Sequence, residues 1–255
     1  MTTESSWTDT FARAVEAAVA AYNRHETTIA APVPDEPVLF VANHGFGGVF
    51  DLNVIAFAIA RRASGDERPV TVLTHQIAWQ LGVGGLIEPF GARKASHEAA
   101  TTAFAEGRHL LVFPGGDVDA FKSWGDRNTV VFAGRSGFAR LAIDNGVPIV
   151  PVVTSGAGES VLVLDDGAAL ARATGVRDRF RLNRLPTTLS IPWGVNIGAV
   201  GLLPYVPLPT KLRTAMLPAM RAEADERPED YAERVRTVMQ VELDRQTRGR
   251  RPIIG

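Results

Sequence analysis

Apolar and polar positions follow two periods along this chain, and the points where one gives way to the other mark its elements. Trp7, Phe11, Ala14, Val15, Ala18, Val19 and Tyr22 recur at helical spacing behind a Ser6/Asp9 capping box, which predicts an amphipathic helix within residues 1–30. Its polar side, with Arg13, Glu16, Asn23 and Arg24, lacks the Lys/Arg-rich face of a membrane-surface helix, so packing against the domain is expected. Three prolines between Pro32 and Pro37 make a loop, and 37–41 is a short run of strand formers. From Asp51 to Ala63 the period is helical and apolar almost all round, which predicts a buried helix ending at Arg61 and Arg62.

The same reading gives a strand over 69–75, a short helix over 77–81, a loop over 90–96, and a helix from His97 to Glu106 opened by Ser96 and closed by Gly107. A strand over 109–113, an irregular polar loop over 120–131, a helix stopping at Asn145-Gly146 and a strand over 148–153 follow. Beyond these lie a strand over 161–164, a helix over 168–173, and a last helix opened by Pro228 with Tyr231, Val235, Val238 and Met239 in one stripe. Strands alternating with helices predict an α/β fold, with a mostly parallel or mixed central sheet flanked by helices. No Pro- or Gly-rich linker divides the 255 residues, so one domain is expected, with its core in 37–160 and the sheet and last helix completed by 161–255.

Composition narrows the function classes. A hydrophobic content of 45%, 22% charged residues and a net charge of −1 are those of an ordinary globular protein and give no footprint for nucleic acid. The absence of cysteine removes disulfides and thiolate metal sites and fits a reducing compartment. The first residues show no basic region followed by an apolar core, so no signal peptide is read and a cytoplasmic location is expected.

The candidate chemistry sits where strand 37–41 stops. His44 and Asp51 are separated by six residues, three of them glycine, so the turn can fold back and bring the carboxylate to the imidazole. Such a pair is a general base: the acid fixes the ring tautomer and stabilises the imidazolium. Asp51 as a simple N-cap is the competing structural reading. No cysteine and no Gly-x-Ser-x-Gly supplies a protein nucleophile, so the base would act on a group of the substrate. A second strand-end turn, Pro114-Gly115-Gly116, lets a backbone approach a ligand closely, with Asp117 and Asp119 just beyond. Arg93 and Lys94 precede a helix start and form a candidate anion site; a solvated loop is the alternative. His75 is a candidate ligand, and Glu159 follows a Ser-Gly-Ala-Gly turn that borders the site or is simply solvated.

In order, Asn43-His44 with Asp51, then Phe113-Pro114-Gly115-Gly116, then the run from Arg135 to Ala142, then the run from Val147 to Val152 resemble the blocks of the glycerolipid (lysophospholipid-type) acyltransferases. The Pro-Gly-Gly block is most similar to the diacylglycerol and monoacylglycerol acyltransferase branch, and Tyr205 to Thr210 resembles a Pro-Leu-Pro segment of that branch. The chain departs from the family in its six-residue His–Asp separation, where four is usual, and in having Asp119 where this branch often has Glu.

The resemblance implies direct acyl transfer from acyl-CoA or acyl carrier protein to a lipid hydroxyl, with His44 as base, Asp51 orienting it, no acyl-enzyme, no cofactor and no metal. It implies oxyanion donors among the backbone N–H groups of either glycine turn. Gly115, Gly116, Arg93, Lys94, Arg135, Asp119 and Glu159 become substrate-binding candidates, the cations for a head group or CoA phosphates. Residues 191–209 are apolar, uncharged and broken by four prolines, too interrupted to span a bilayer; peripheral contact with the inner face of a membrane, an acyl pocket and a buried core segment are its readings. Two other classes stand beside this one: a metal-dependent glycosyltransferase using Asp117 and Asp119, and a lipid-binding protein without turnover. A dinucleotide loop is disfavoured by Phe50 where its third glycine belongs.

Overall fold

The computed structural model describes residues 3–47, 51–74, 84–176, 182–198, 203 and 205–255. Its centre is β2 (Leu39–Ala42), buried along its whole length. Side chains alternate across it: Leu39 and Val41 join a core with Leu110, Ile149 and Val153, whereas Val38, Phe40 and Ala42 join a second core with Leu111, Val150 and Val152. A strand buried on both faces needs helices on both, and they are present. One face is covered by α2 (Leu52–Ser64), through Phe57 and Ala60. The other carries α4 (His97–Ala105), α6 (Gly137–Asp144) and α8 (Pro228–Thr247).

The sheet adds β1 (Glu26–Ile29), β3 (Val70–Thr74), β4 (Ala92–Lys94), β5 (His109–Val112), β6 (Ile149–Ser155) and β10 (Arg213–Met216), in the order β1-β10-β6-β2-β5-β3-β4. Strands β6, β2, β5, β3 and β4 run parallel; β10 is antiparallel to β6 and parallel to β1. The expected α/β class and mixed central sheet are therefore what the chain forms. The parallel strands end at one edge, and the turns after β2 and β5, which are neighbours, hold the His44 and Pro-Gly-Gly motifs. Ligands of open α/β sheets bind at that edge.

Several elements differ from the periodicity reading. Residues 92–94, expected in a loop, form edge strand β4, and β1 and β10 are additional. Short helices α3 (Gly84–Ile87) and α5 (Gly116–Ala120) are also new, the second inside the glycine turn. The apolar 191–209 region contributes to a separate three-stranded sheet of β7 (Leu162–Asp165), β8 (Thr187–Ser190) and β9 (Gly194–Ile197), preceded by α7 (Ala168–Ala173). The first helix, α1 (Thr3–Tyr22), packs on α2, but through the side carrying Val15, Glu16, Val19 and Ala20. Trp7, Phe11, Ala14 and Ala18, expected to face the domain, are exposed, and Tyr22 is half-exposed with its hydroxyl donating to the Pro207 carbonyl at 2.8 Å; Glu16 instead meets Arg62 of α2 at 2.9 and 3.1 Å. Among the described residues no helix is long and apolar enough to cross a membrane. His75 and the helix expected over 77–81 lie outside the described residues.

Candidate active site

The site is a turn held from every side. Where β2 ends, the Asn43 amide substitutes for the ladder: it donates to the Thr154 carbonyl at 3.0 Å and accepts from the Thr154 N–H at 2.9 Å, fastening the strand end to β6. The chain then leaves the sheet, and Asn53 on α2 closes it back, donating to the Asn43 carbonyl at 2.7 Å and accepting from the Gly45 N–H at 2.8 Å. Glycine is required at 45, since a Cβ there would lie 2.4 Å from Ala157.

Between these two fixed points His44 presents its ring, stacked on Phe113 with centroids 4.2 Å apart. Its Nδ1 lies 3.0 Å from Asp51 Oδ2, both side chains 13% exposed. Asp51 is also the N-cap of α2, its Oδ1 accepting from the Asn53 N–H at 2.8 Å. The N-cap reading of Asp51 therefore holds, and its other oxygen is the one that lies near the imidazole. The imidazole contact is close but misaligned, because Nδ1 has no partner in hydrogen-bond direction.

The backbone of His44 is clamped by two residues of the next turn. Asp119 Oδ2 accepts the His44 N–H at 2.6 Å, and Lys122 Nζ donates to the His44 carbonyl at 2.9 Å. Lys122 also donates to Asp119 Oδ1 at 2.7 Å and to the Thr129 carbonyl at 2.8 Å. Three acceptors arranged around one nitrogen suit an ammonium, which has three donors and no plane to satisfy. The pair is buried, Asp119 at 1% and Lys122 at 4% side-chain exposure. Asp119, expected at the acceptor, instead faces inward with both oxygens engaged. Sequence reasoning gave Lys122 and Asn53 no role; one cue was available, that Lys122 is one of only three lysines.

The remaining expected residues divide into two groups. Arg135 joins the glycine turn, donating to the Pro114 carbonyl at 2.9 Å and reaching Asp117 at 3.3 Å, while its guanidinium lies where a Cβ of Gly116 would project. Gly115 is enclosed, a Cβ there falling 2.0 Å from the Val131 carbonyl and 2.2 Å from Asp119. Asp117 is held by Arg135 and by the N–H and amide of Asn183. Arg93 and Lys94 are exposed on β4, three strand spacings or roughly 14 Å from β2 across the sheet. Arg93 faces Glu88 at 3.4 Å. Glu159 is buried in a bidentate pair with Arg250 at 2.9 and 3.0 Å and accepts the Ile253 N–H at 2.7 Å, so its carboxylate is engaged with residues 250–253.

The amides expected to serve an oxyanion are largely engaged within the protein. Those of His44, Gly45 and Gly47 donate to Asp119, Asn53 and the Ala120 carbonyl, and that of Gly116 to the Phe113 carbonyl. On the other side of the turn, Phe46 packs edge-on to Phe121 and Tyr205 and with Val161 and Val163. Burial, with nearby Asp51, holds the Tyr205 phenol well above its ordinary range, so it remains protonated.

A family model described as Acyltransferase matches residues 23–155, a span that contains the whole of this turn. The chain belongs to the acyltransferase family. The chain is 34% identical over 190 residues to an uncharacterized protein of Mycobacterium tuberculosis, covering 71% of the chain and 47% of that protein. It is 31% identical over 133 residues to the "DGAT1/2-independent enzyme synthesizing storage lipids" of Gallus gallus, covering 52% and 39%. Phytyl ester synthase 1, chloroplastic, of Arabidopsis thaliana is 30% identical over 141 residues, covering 53% and 20%. The chain therefore spans less than half the length of each of these relatives. In fold it resembles the 1-acyl-sn-glycerophosphate (LPA) acyltransferase PlsC from Thermotoga maritima, with a TM-score of 0.51 over 93% of this chain and 82% of that one at 14% identity.

Proposed function

We propose that this acyltransferase moves a fatty acyl group from acyl-CoA or acyl carrier protein to the hydroxyl of an uncharged glycerolipid such as a mono- or diacylglycerol. His44 Nε2 removes the hydroxyl proton as that oxygen attacks the thioester carbonyl; the C–O bond forms, the C–S bond breaks, and the proton passes to the departing thiolate. Asp51 fixes the Nδ1–H tautomer and stabilises the imidazolium between these steps. The observation that carries the reading is the 3.0 Å approach of His44 and Asp51 at the carboxyl edge of the sheet. Two features support an uncharged acceptor: Arg135, beside the glycine turn, already faces Asp117, and two relatives are named for storage lipids and a phytyl ester. Arg93 and Lys94, farther along the edge, suit the phosphates of the donor. Such an acceptor makes the enzyme a peripheral protein working on the inner membrane face.

The glycosyltransferase alternative has less support, since Asp117 and Asp119 are each neutralised by a separate cation, Arg135 and Lys122. The test is product analysis by mass spectrometry with acyl-CoA and a panel of neutral and phosphorylated acceptors. His44→Ala should lose about 10²–10⁴-fold in turnover with its melting temperature unchanged. Equal product from both proteins, or activity lost on chelation, would defeat the reading.

A further inference from the structure

The small β7–β8–β9 sheet has its amphipathicity reversed. An antiparallel sheet with one solvated face normally turns its apolar residues inward and its polar residues out. Here Thr188, Ser190 and Asn196 share the inward face, Thr188 and Asn196 as cross-strand partners with their side chains 3.3 Å apart. Leu189 and Val195, paired on the opposite face, point out, as do Leu164 and Ile197; Ile191 and Val206, bridged at the sheet's end, are exposed with them. These six are between 44 and 65% exposed, and Trp193 in the β8–β9 turn is 45% exposed. The inward face is not loosely placed: Val163 and Tyr205 pack on Phe46, two residues from the His44 imidazole. The outward face therefore lies one sheet layer from the catalytic turn.

From this we infer that the outward face of the β7–β8–β9 sheet is the surface through which the enzyme docks on an anionic lipid bilayer, and that docking sets the catalytic turn at the bilayer surface. Charge argues for this occupant. No charged residue occurs from Leu185 to Thr210, whereas residues 172–184, which lead into the sheet, hold five arginines against one aspartate. An apolar face with a single acid, Asp165, at its β7 margin, preceded in sequence by a cationic stretch, matches hydrocarbon bordered by anionic head groups. Asp165, the last residue of β7, stands opposite Thr187 at the margin of the outward face, and Asp166 is paired with Arg184 at 2.8 Å. Area argues the same way. The exposed apolar residues leave on the order of 600 Å², at the upper end for a patch on a monomer, but short of the roughly 800 Å² a side of a stable protein interface. The inference rests on the lipid chemistry proposed above only for choosing a lipid over a protein partner.

Vesicle flotation tests it without turnover, using phosphatidylcholine with and without phosphatidylglycerol. The full chain should float with the anionic vesicles, and so should its His44→Ala variant. The double variant Val195→Asp with Ile197→Asp should bind at least tenfold less with an unchanged melting temperature; Val241→Asp, at an exposed apolar position on α8, should float like the parent. Should the double variant be unstable, the parent protein supplies a second reading: lipids with brominated chains should quench a fluorescence component that Trp193→Phe removes. The proposal fails if the parent does not float, if the double variant floats as well as the parent, if Trp193 is not quenched, or if light scattering shows a dimer that the double variant dissociates. A protein that floats but transfers no acyl group would refute the reaction and leave the surface; one that acylates soluble short-chain acceptors but does not float would do the opposite.

Discussion

Asp51 caps a helix in the fold and, in the proposed reaction, also steers a base. An N-cap needs one acceptor aimed at the first turn of its helix, and a base partner needs one aimed at an imidazole; a carboxylate in extended backbone at the head of α2 has an oxygen for each. Substitution should separate the roles. Asp51→Ser retains a capping oxygen but nothing that reaches His44, so α2 should lose only a few tenths of a kcal/mol while turnover falls sharply. Asp51→Asn retains the cap as well, but can offer its NH2 to Nδ1, which holds the ring in the tautomer with Nε2 protonated and removes the base. Both variants should melt within about 1 kcal/mol of the parent and have kcat reduced far more than KM. Equal losses of stability and activity would mean that Asp51 is only a cap. The residues that made this pair legible in sequence are local: a His, an Asp, and glycines between them. The misalignment at Nδ1 was not, because it depends on ring and carboxylate torsions that no spacing encodes.

Between elements, the His44 turn depends on the loop after β5. Asp119 belongs to α5 and Lys122 follows it, yet their hydrogen bonds end on the backbone of a turn 75 and 78 residues earlier. Among the described residues no other cation pairs with Asp119, so removing Lys122 leaves a buried carboxylate without its counter-charge. Lys122→Met should therefore destabilise by about 3–5 kcal/mol, and Lys122→Arg should not restore it, because a planar guanidinium cannot meet three acceptors set around one nitrogen. Denaturant unfolding at neutral pH measures this; a loss under about 1 kcal/mol for Lys122→Met would show that the clamp is incidental. Such a device is poorly visible in sequence, since Asp119 and Lys122 fall in a glycine turn and a polar loop where charges are ordinarily solvated. β1 and β10 were hidden for a related reason: each is four residues long, and only pairing with each other and with β6 makes them strands. β8 was hidden because two threonines and a serine in four residues give no apolar signal, and β9 because it lies in a stretch broken by prolines and glycines. By contrast β2, α2, α4 and α6 were legible, because each has a local signal: a β-branched and aromatic run, an Asp51 or Ser96 cap, or a terminating Asn145-Gly146.

At the scale of the whole molecule, the two ends of the central sheet carry histidines of opposite character. At the carboxyl end His44 is partly open beside Asp51; at the amino end His109 is fully buried, accepting the Val38 N–H on Nδ1 at 3.0 Å with Nε2 3.2 Å from Asp66. Protonating Nδ1 would set two N–H groups against each other, and burial holds the His109 pKa below its ordinary value despite Asp66. His25, at the start of β1 with Nε2 2.8 Å from Thr214 Oγ1, is lowered to about 4, again chiefly by burial. Both are neutral in the folded chain where the unfolded chain, with pKa near 6.5, takes up protons. The unfolded state then binds more protons, so stability is full above about pH 6.5 and falls as pH drops toward 4. Carboxylates with lowered pKa, such as Glu226 beside Arg234, join only below their unfolded value of 4.5. Urea midpoints should therefore decline already between pH 6.5 and 5, before the carboxylates contribute. In His109→Asn, where an amide oxygen can accept from Val38 and nothing titrates, the decline should be shallower, by at most about 1.4 kcal/mol per pH unit for the one proton removed. A midpoint flat from pH 7 to 5, or an unaltered slope in that variant, would show that neither imidazole resists protonation in the fold.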